Sequence, residues 1–336
     1  AMAVAEADME WLRSAHQQHA VVEPPRQSNF RVFAVITFTL PGSPRILSVT
    51  GTNSESCFVQ GSLCAERAAL LQLRPKRGAV PLSVYLVCDG PEHITPGVLC
   101  REFLSEHLSS STTIFMAGTS PEGPVDVHVT KLGELYPCPP LYRGVKRGDL
   151  VTHAEAVAAK LLPLQTHGKP WQDLHAAAIE ATKADTRDEL HPLRLGAAIE
   201  LADGTISAAA QAKALEYGAT LDPVSRLSLI IEHAAAKGVR PKRLVVTDQF
   251  GVLHAPVAAA RSFLVEYGFG DLEVTAFVLA QATIGDALTG HRFSFIAVTA
   301  VLKCLRRRFW CRRARSLMHS YRRTSPALNL NMNIVA

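Results

Sequence analysis

Two stretches 160 residues apart, P-G-V-L-C-R-E-F-L-S-E-H from Pro96 and P-V-A-A-A-R-S-F-L-V-E-Y from Pro256, keep Pro, Arg, Phe-Leu and Glu at the same places. A second pair, Cys64-Ala65-Glu66-Arg67 and Asp222-Pro223-Val224-Ser225, stands at an offset of 158. Two matches in the same order and at nearly the same offset mark a degenerate internal duplication. Each copy of a duplicated unit has to bury its own core. The 336 residues are therefore expected to form two similar modules rather than one large domain.

The local pattern says what each module is. Residues 30–40 (F-R-V-F-A-V-I-T-F-T-L) are rich in β-branched and aromatic side chains and predict a buried strand; P-G-S-P at 41–44 then turns the chain into a second strand over 45–50. Helices are predicted over 64–73, ending before Pro75, and over 98–107, with strands at 82–88, 112–117 and 125–130. That order is an α/β sandwich around a mixed sheet. From Leu193 it begins again, with a strand at 195–201, a turn A-D-G-T at 202–205, a helix at 225–237, a strand at 244–247 and a helix at 257–267. Met9, Leu12 and Ala15 are spaced for an N-terminal helix, which Glu23-Pro24-Pro25 breaks. The fold class expected is α/β, two α/β/α sandwich modules around mixed sheets. The expected organisation is a helical segment at 1–26, a first module at 27–140, an alanine-rich helical connector at 141–190 that carries no core, a second module at 191–283 and a basic tail at 284–336.

Charge is divided unevenly. No Asp or Glu follows Asp286, while ten Lys and Arg do, so a net charge of +5 leaves the first 290 residues at about −5. The body is mildly acidic and its charge gives no reason to expect a nucleic-acid partner. In the tail, Phe309 and Trp310 stand among arginines, a pattern suited to nucleic acid or an anionic membrane surface. The abrupt change of composition argues instead for a largely unstructured extension with one basic helix. The apolar run at 293–302 is half of what a membrane span needs, and the opening A-M-A-V-A-E-A-D-M-E is acidic where a secretory signal is basic. Seven irregularly spaced cysteines do not form a secreted disulfide framework. The expectation is a soluble, cytoplasmic chain with free thiols.

The chemistry-bearing residues cluster in the first copy. Cys64 and Cys100 stand at the starts of the two predicted helices, where unpaired backbone N–H groups and the helix dipole favour the thiolate that a metal takes. Glu66, two residues beyond Cys64, is placed to carry a proton rather than to bind the metal. Residues 95–101, T-P-G-V-L-C-R, read as a Pro-Cys-x-x-Cys zinc turn whose first cysteine is Gly97. Taken singly, Cys64 is a core cysteine and Glu66 an ordinary acid of a helix's first turn; only their order with Asn53 and Glu55 raises them above that.

Those residues carry a resemblance. Residues 28–34, S-N-F-R-V-F-A, are similar to the S-x-F-x-V-G-A strand of cytidine deaminases, with Phe33 in the place of glycine. G-T-N-S-E at 51–55, followed by C-A-E-R at 64–67, is similar to that family's G-x-N-x-E and C-A-E-R elements. Residues 27–140 thus resemble the catalytic module, and residues 150–283 the non-catalytic second half of the longer, dimeric enzymes. The resemblance implies zinc as cofactor on Cys64 and Cys100, Glu66 as proton carrier, Asn53 and Glu55 on the ribose hydroxyls, Phe30 beside the pyrimidine, and Arg67 tempering the charge of the cysteines. It implies hydrolysis of cytidine or deoxycytidine to uridine or deoxyuridine by a homodimer.

Gly97 is the departure, since two protein ligands remain from three. Three outcomes are open on sequence. His93, Cys57 or Asp89 completes the shell; zinc binds weakly through two thiolates; or the chain is a metal-free, nucleoside-binding or scaffolding pseudo-deaminase. The second copy has no thiol in the places of Cys64 and Cys100 and no carboxylate in the place of Glu66, and is expected to brace the first. A polynucleotide substrate is the weakest possibility, because Asn53 and Glu55 would grip a free ribose.

Overall fold

The computed structural model describes residues 4–56, 62–160 and 168–279 and the backbone of 295–301. In the first module, α1 (Glu6–Ala20) precedes β1 (Val32–Thr39), β2 (Leu47–Thr52), α2 (Ala65–Leu73), β3 (Val80–Cys88), α3 (Val98–Ser105), β4 (Thr113–Ser120), β5 (Gly123–Lys131) and the short α4 (Leu132–Leu135). The strands form one sheet in the order β2-β1-β3-β4-β5. Only β3 and β4 pair in parallel, and α3 crosses between them.

The period-two alternation of β1 decides which layer each side chain joins. Val32, Ala34, Ile36 and Phe38 face α2 and α3, in a core with Ala69, Leu70 and Leu104. Phe33 and Val35 face the other way, onto Leu12 and Ala15 of α1. Both faces of β1 are therefore buried, which is why its sequence is a continuous apolar run rather than an alternating one.

The second module repeats the plan. After α5 (Leu150–Lys160) and α6 (Lys169–Thr182) come β6 (Leu195–Leu201), β7 (Ile206–Ala210), α7 (Ser228–Ala236), β8 (Pro241–Asp248), β9 (Leu253–His254), α8 (Ala258–Glu266), β10 (Glu273–Leu279) and β11 (Phe295–Val301). The sheet order is β11-β10-β8-β6-β7, with β9 added on β8 and β8/β10 as the parallel pair, so every strand direction of the first sheet recurs. The duplication extends to single bonds. Arg101 Nε donates to Pro96 O at 2.7 Å and Arg261 Nε to Pro256 O at 2.6 Å. Isolated bridges join Ser54 to Leu63 and, 158 residues on, Ala212 to Leu221.

Two expectations need correction. Residues 152–185 are not a coreless connector: Ala154, Val157, Trp171, Leu174 and Ala178 are buried against Ala198 and Val245 of the second sheet. α6 thus does for β6 what α1 does for β1, and its alanine-rich composition hid this because small residues let a helix lie close. At Gly196 the approach is so tight that a Cβ would stand 2.2 Å from Ala178 O. The first module has Phe33 at the matching place, which fills the space between sheet and α1 instead. The second correction concerns the tail, where residues 295–301 form an edge strand antiparallel to β10. The rest of 302–336, including Phe309 and Trp310, lies outside the described residues. Among the described residues, no helix is long and apolar enough to cross a membrane.

Gly51 of β2 positions the functional helix. A Cβ there would fall 2.3 Å from Ala69 N and 2.5 Å from Ala65 O, both backbone atoms of α2. Gly51→Ala is therefore expected to push α2 off the sheet, lowering stability by about 3 kcal/mol in urea melts. A variant of unchanged stability would mean that α2 adapts freely.

Candidate active site

The apolar spacing of α2 and α3 lays both helices on the same face of the first sheet, with their N-termini converging. Cys64 is the N-cap residue of α2 and Gly97 that of α3, so Glu66 and Cys100 fall in the first turns. The thiol sulfurs of Cys64 and Cys100 and a carboxylate oxygen of Glu66 all lie within 4.8 Å of one another. No other cluster of potential metal ligands is this close among the described residues. Cys100 is 1% exposed and Glu66 5%, while Cys64 is half-buried. The two thiols and the carboxyl predicted from sequence are thus brought together.

Their electrostatics follow from this packing. The hydrogen bond from Cys100, helped by Arg67, holds the Cys64 thiol down at about 6 against its burial. Cys100 is pushed up by the same bond and by burial, so Cys64 carries the thiolate and Cys100 the shared proton. Burial raises the Glu66 carboxyl to about 7, with the negative charge of Cys64 adding to it. Arg67 Nη2 reaches Ser62 O at 3.0 Å and Cys64 Sγ at 3.8 Å, and its buried Nε has no hydrogen-bond partner among the described residues. Arg101, the arginine that both duplicated stretches keep, ties the α3 turn in place. It donates to Pro96 O, to Thr95 Oγ1 at 2.9 Å and to Leu135 O at 3.1 Å.

A second group lies at the end of β1. Asn53 Oδ1 accepts from Val32 N at 2.8 Å, and its Nδ2 donates to Phe30 O at 2.9 Å and to Glu55 at 3.5 Å. Glu55 accepts from Ser28 N at 2.7 Å and Ser28 Oγ at 2.8 Å. Asn53, Glu55 and the Phe30 backbone therefore form one braced corner. The Ser28–Glu55 clasp was not foreseen, although Ser28 sits inside the quoted motif; a contact spanning 27 residues leaves no local periodicity to read.

At Gly97 a Cβ would meet nothing within 4 Å among the described residues, so a side chain could start there without a clash. His93 does not stand in for the absent third thiol: its Nδ1 bonds Asp126 at 2.7 Å and its ring stacks on His128. Asp89 is held by Arg31 at 2.9 Å and faces His19. Neither joins the cysteine cluster, and Cys57 lies outside the described residues. The donors present suit a thiophilic divalent ion such as zinc. Two thiols, with Arg67 balancing their charge, leave open positions on the Gly97 side.

The second module has lost this chemistry. Asp222, in the place of Cys64, accepts from Val224 N at 2.9 Å and Ser225 N at 3.1 Å as an ordinary turn acid, and Val224 stands for Glu66. Gln211 keeps the Asn53 contact, donating to Leu193 O at 2.7 Å. Lys213, in the place of Glu55, is buried in an ion pair with Asp185 at 2.9 Å.

Among solved structures the chain is similar to the cytidine deaminase from Burkholderia pseudomallei, at 21% identity over 41% of this chain and 99% of that one, with a TM-score of 0.32. It is also similar to the cytidine deaminase from Mycobacterium tuberculosis (27% identity, 40% and 98% covered, TM-score 0.29) and to that from Mycobacterium leprae (25%, 40% and 99%, 0.29). No family model matches the chain, and no curated protein matches it.

Proposed function

We propose that the chain is a zinc-dependent hydrolase that deaminates cytidine or deoxycytidine to uridine or deoxyuridine, with its metal weakened by Gly97. The observation that carries this is the convergence of Cys64, Cys100 and a protonatable, buried Glu66 at two helix N-termini. Cys64 and Cys100 would hold the zinc. Bound there, the ion supplies a Lewis acid that activates water at neutral pH.

The rest of the chemistry belongs to side chains. With its carboxyl near 7, Glu66 exists in both protonation states at neutral pH. It gives a proton to N3 of the cytosine ring, which makes C4 electrophilic towards water. It then takes a proton from the attacking water and delivers it to the amine, which leaves as ammonia, and the new C4 hydroxyl returns its proton to Glu66 as the carbonyl forms. Arg67 offsets the thiolate charge. Asn53 and Glu55 receive the ribose hydroxyls, and Phe30 borders the ring. The backbone bonds of Asn53 and the Ser28 clasp of Glu55 hold that corner in shape before substrate arrives. Seven cysteines without regular spacing suit a reducing, cytoplasmic setting, and a homodimer of two-module chains is the assembly that the resemblance implies.

The lack of a thiol at Gly97 favours one competing function, a pseudo-deaminase that binds nucleoside without turning it over. Conversion of cytidine to uridine, followed by absorbance in zinc-supplemented buffer, separates the two. Asn53→Ala is expected to raise KM for cytidine at least about tenfold, the loss of roughly 1.4 kcal/mol of binding. An unchanged KM would remove Asn53 from the sugar site.

A further inference from the structure

A half-open cavity of about 310 Å³, lined by residues of both modules, lies apart from the Cys64–Glu66–Cys100 cluster. Its floor carries Asp222, Val224 and Val257, at the positions of Cys64, Glu66 and Gly97. The second copy therefore has a hollow at these positions without the thiols or the buried acid of the first. The walls are braced in advance. Arg261 is fixed by carbonyls of Pro137 at 2.9 Å and Cys138 at 2.6 Å and lies over the Tyr136 ring. Glu102 of α3 accepts from Tyr136 Oη at 2.5 Å and from Ala258 N of α8 at 2.9 Å.

We propose that this cavity binds a flat, uncharged nitrogen heterocycle of nucleobase size, without converting it. The volume is at the small end for ligand sites. The lining is mostly apolar, with Pro140, Tyr142 and Leu193 on its walls. Charged groups of both signs line it, Glu102, Glu106 and Asp222 against Arg143 and Arg261, and burial with the neighbouring Glu102 raises the Glu106 carboxyl against the pull of Arg143. An ion of either sign would meet a like charge there. A neutral ring with adjacent N–H and C=O groups satisfies acid and base together. No sugar is accommodated as in the first module, because the Lys213–Asp185 pair takes up the place of Glu55. With Val224 in the place of Glu66, nothing there carries a proton to the ring.

The test is equilibrium dialysis of labelled uracil against the full chain, alone and with excess uridine. One uracil per chain is expected, with affinity lowered at least about tenfold by Val257→Trp, which projects an indole into the hollow, and unaffected by Asn53→Ala. Arg143→Ala, a change among the charged groups that leaves the apolar walls intact, is expected to weaken uracil several-fold and serves if the tryptophan variant does not fold. Uracil binding lost in Asn53→Ala, or displaced by uridine while indifferent to Val257→Trp and Arg143→Ala, would place the ligand in the first module and overturn the proposal. So would the absence of uracil binding. Because Asn53→Ala probes the first site alone, failure of the deaminase reading leaves this result separately legible.

Discussion

Gly97→Cys is expected to tighten zinc at least about a hundredfold and to raise deamination in step with metal occupancy when zinc is limiting. Even partners outside the coordination shell change metal affinity by about 10–100-fold, and a directly bound thiolate contributes more. The change should fit without repacking, since a Cβ at position 97 meets no atom of the described residues within 4 Å. Gly97 caps α3 at φ −58°, a conformation open to any L-residue, so no backbone strain opposes the substitution. Competition with a chelator of known affinity measures the effect. Equal zinc affinity in the two proteins would show that position 97 does not face the metal.

Glu66→Gln is expected to lower turnover by roughly 10²–10⁴-fold while leaving zinc content unchanged, because the residue moves protons and does not hold the metal. The same variant has a stability signature in chelator-treated protein. Burial raises the Glu66 carboxyl from 4.5 to about 7, so the folded state binds the extra proton between those values. Stability conferred by the neutral carboxyl is then complete below about 4.5 and is lost as pH rises through about 7, a total of about 3 kcal/mol. Glutamine has no such dependence. At pH 8 the variant should be the more stable protein in urea, and at pH 4 the two should agree. The thiols titrate in both proteins, and their coupling to Glu66 is part of the difference that the comparison reads. A wild-type chain whose pH profile matches that of Glu66→Gln would mean that this carboxyl is solvated.

Much of this architecture was visible beforehand because its causes are local. The buried run of β1, the proline stops after α2 and the helix-leading cysteines are statements about neighbouring residues, and the structure places them as expected. The sheet order was not legible in the sequence; the duplication showed only that the two modules share one plan. What escaped notice depends on distant partners. α6 was taken for a connector since alanine does not announce its burial, and the Gly196–Ala178 approach that explains it spans the α6–β6 junction. β10 and β7 were not read at all: β7 is short, and E-V-T-A-F-V-L in β10 lacks a clean alternation. At the site, residue types announced Cys64, Glu66 and Cys100, whereas Ser28 owes its place to a bond that no spacing encodes.

The most direct measurement is ammonia release from cytidine and deoxycytidine by the unaltered chain, before chelation, after chelation and after zinc is restored, alongside zinc per chain. The proposed function requires turnover that disappears with the metal, returns with it, and is absent from Cys64→Ala. Zinc bound at saturation without any ammonia from either nucleoside would contradict it.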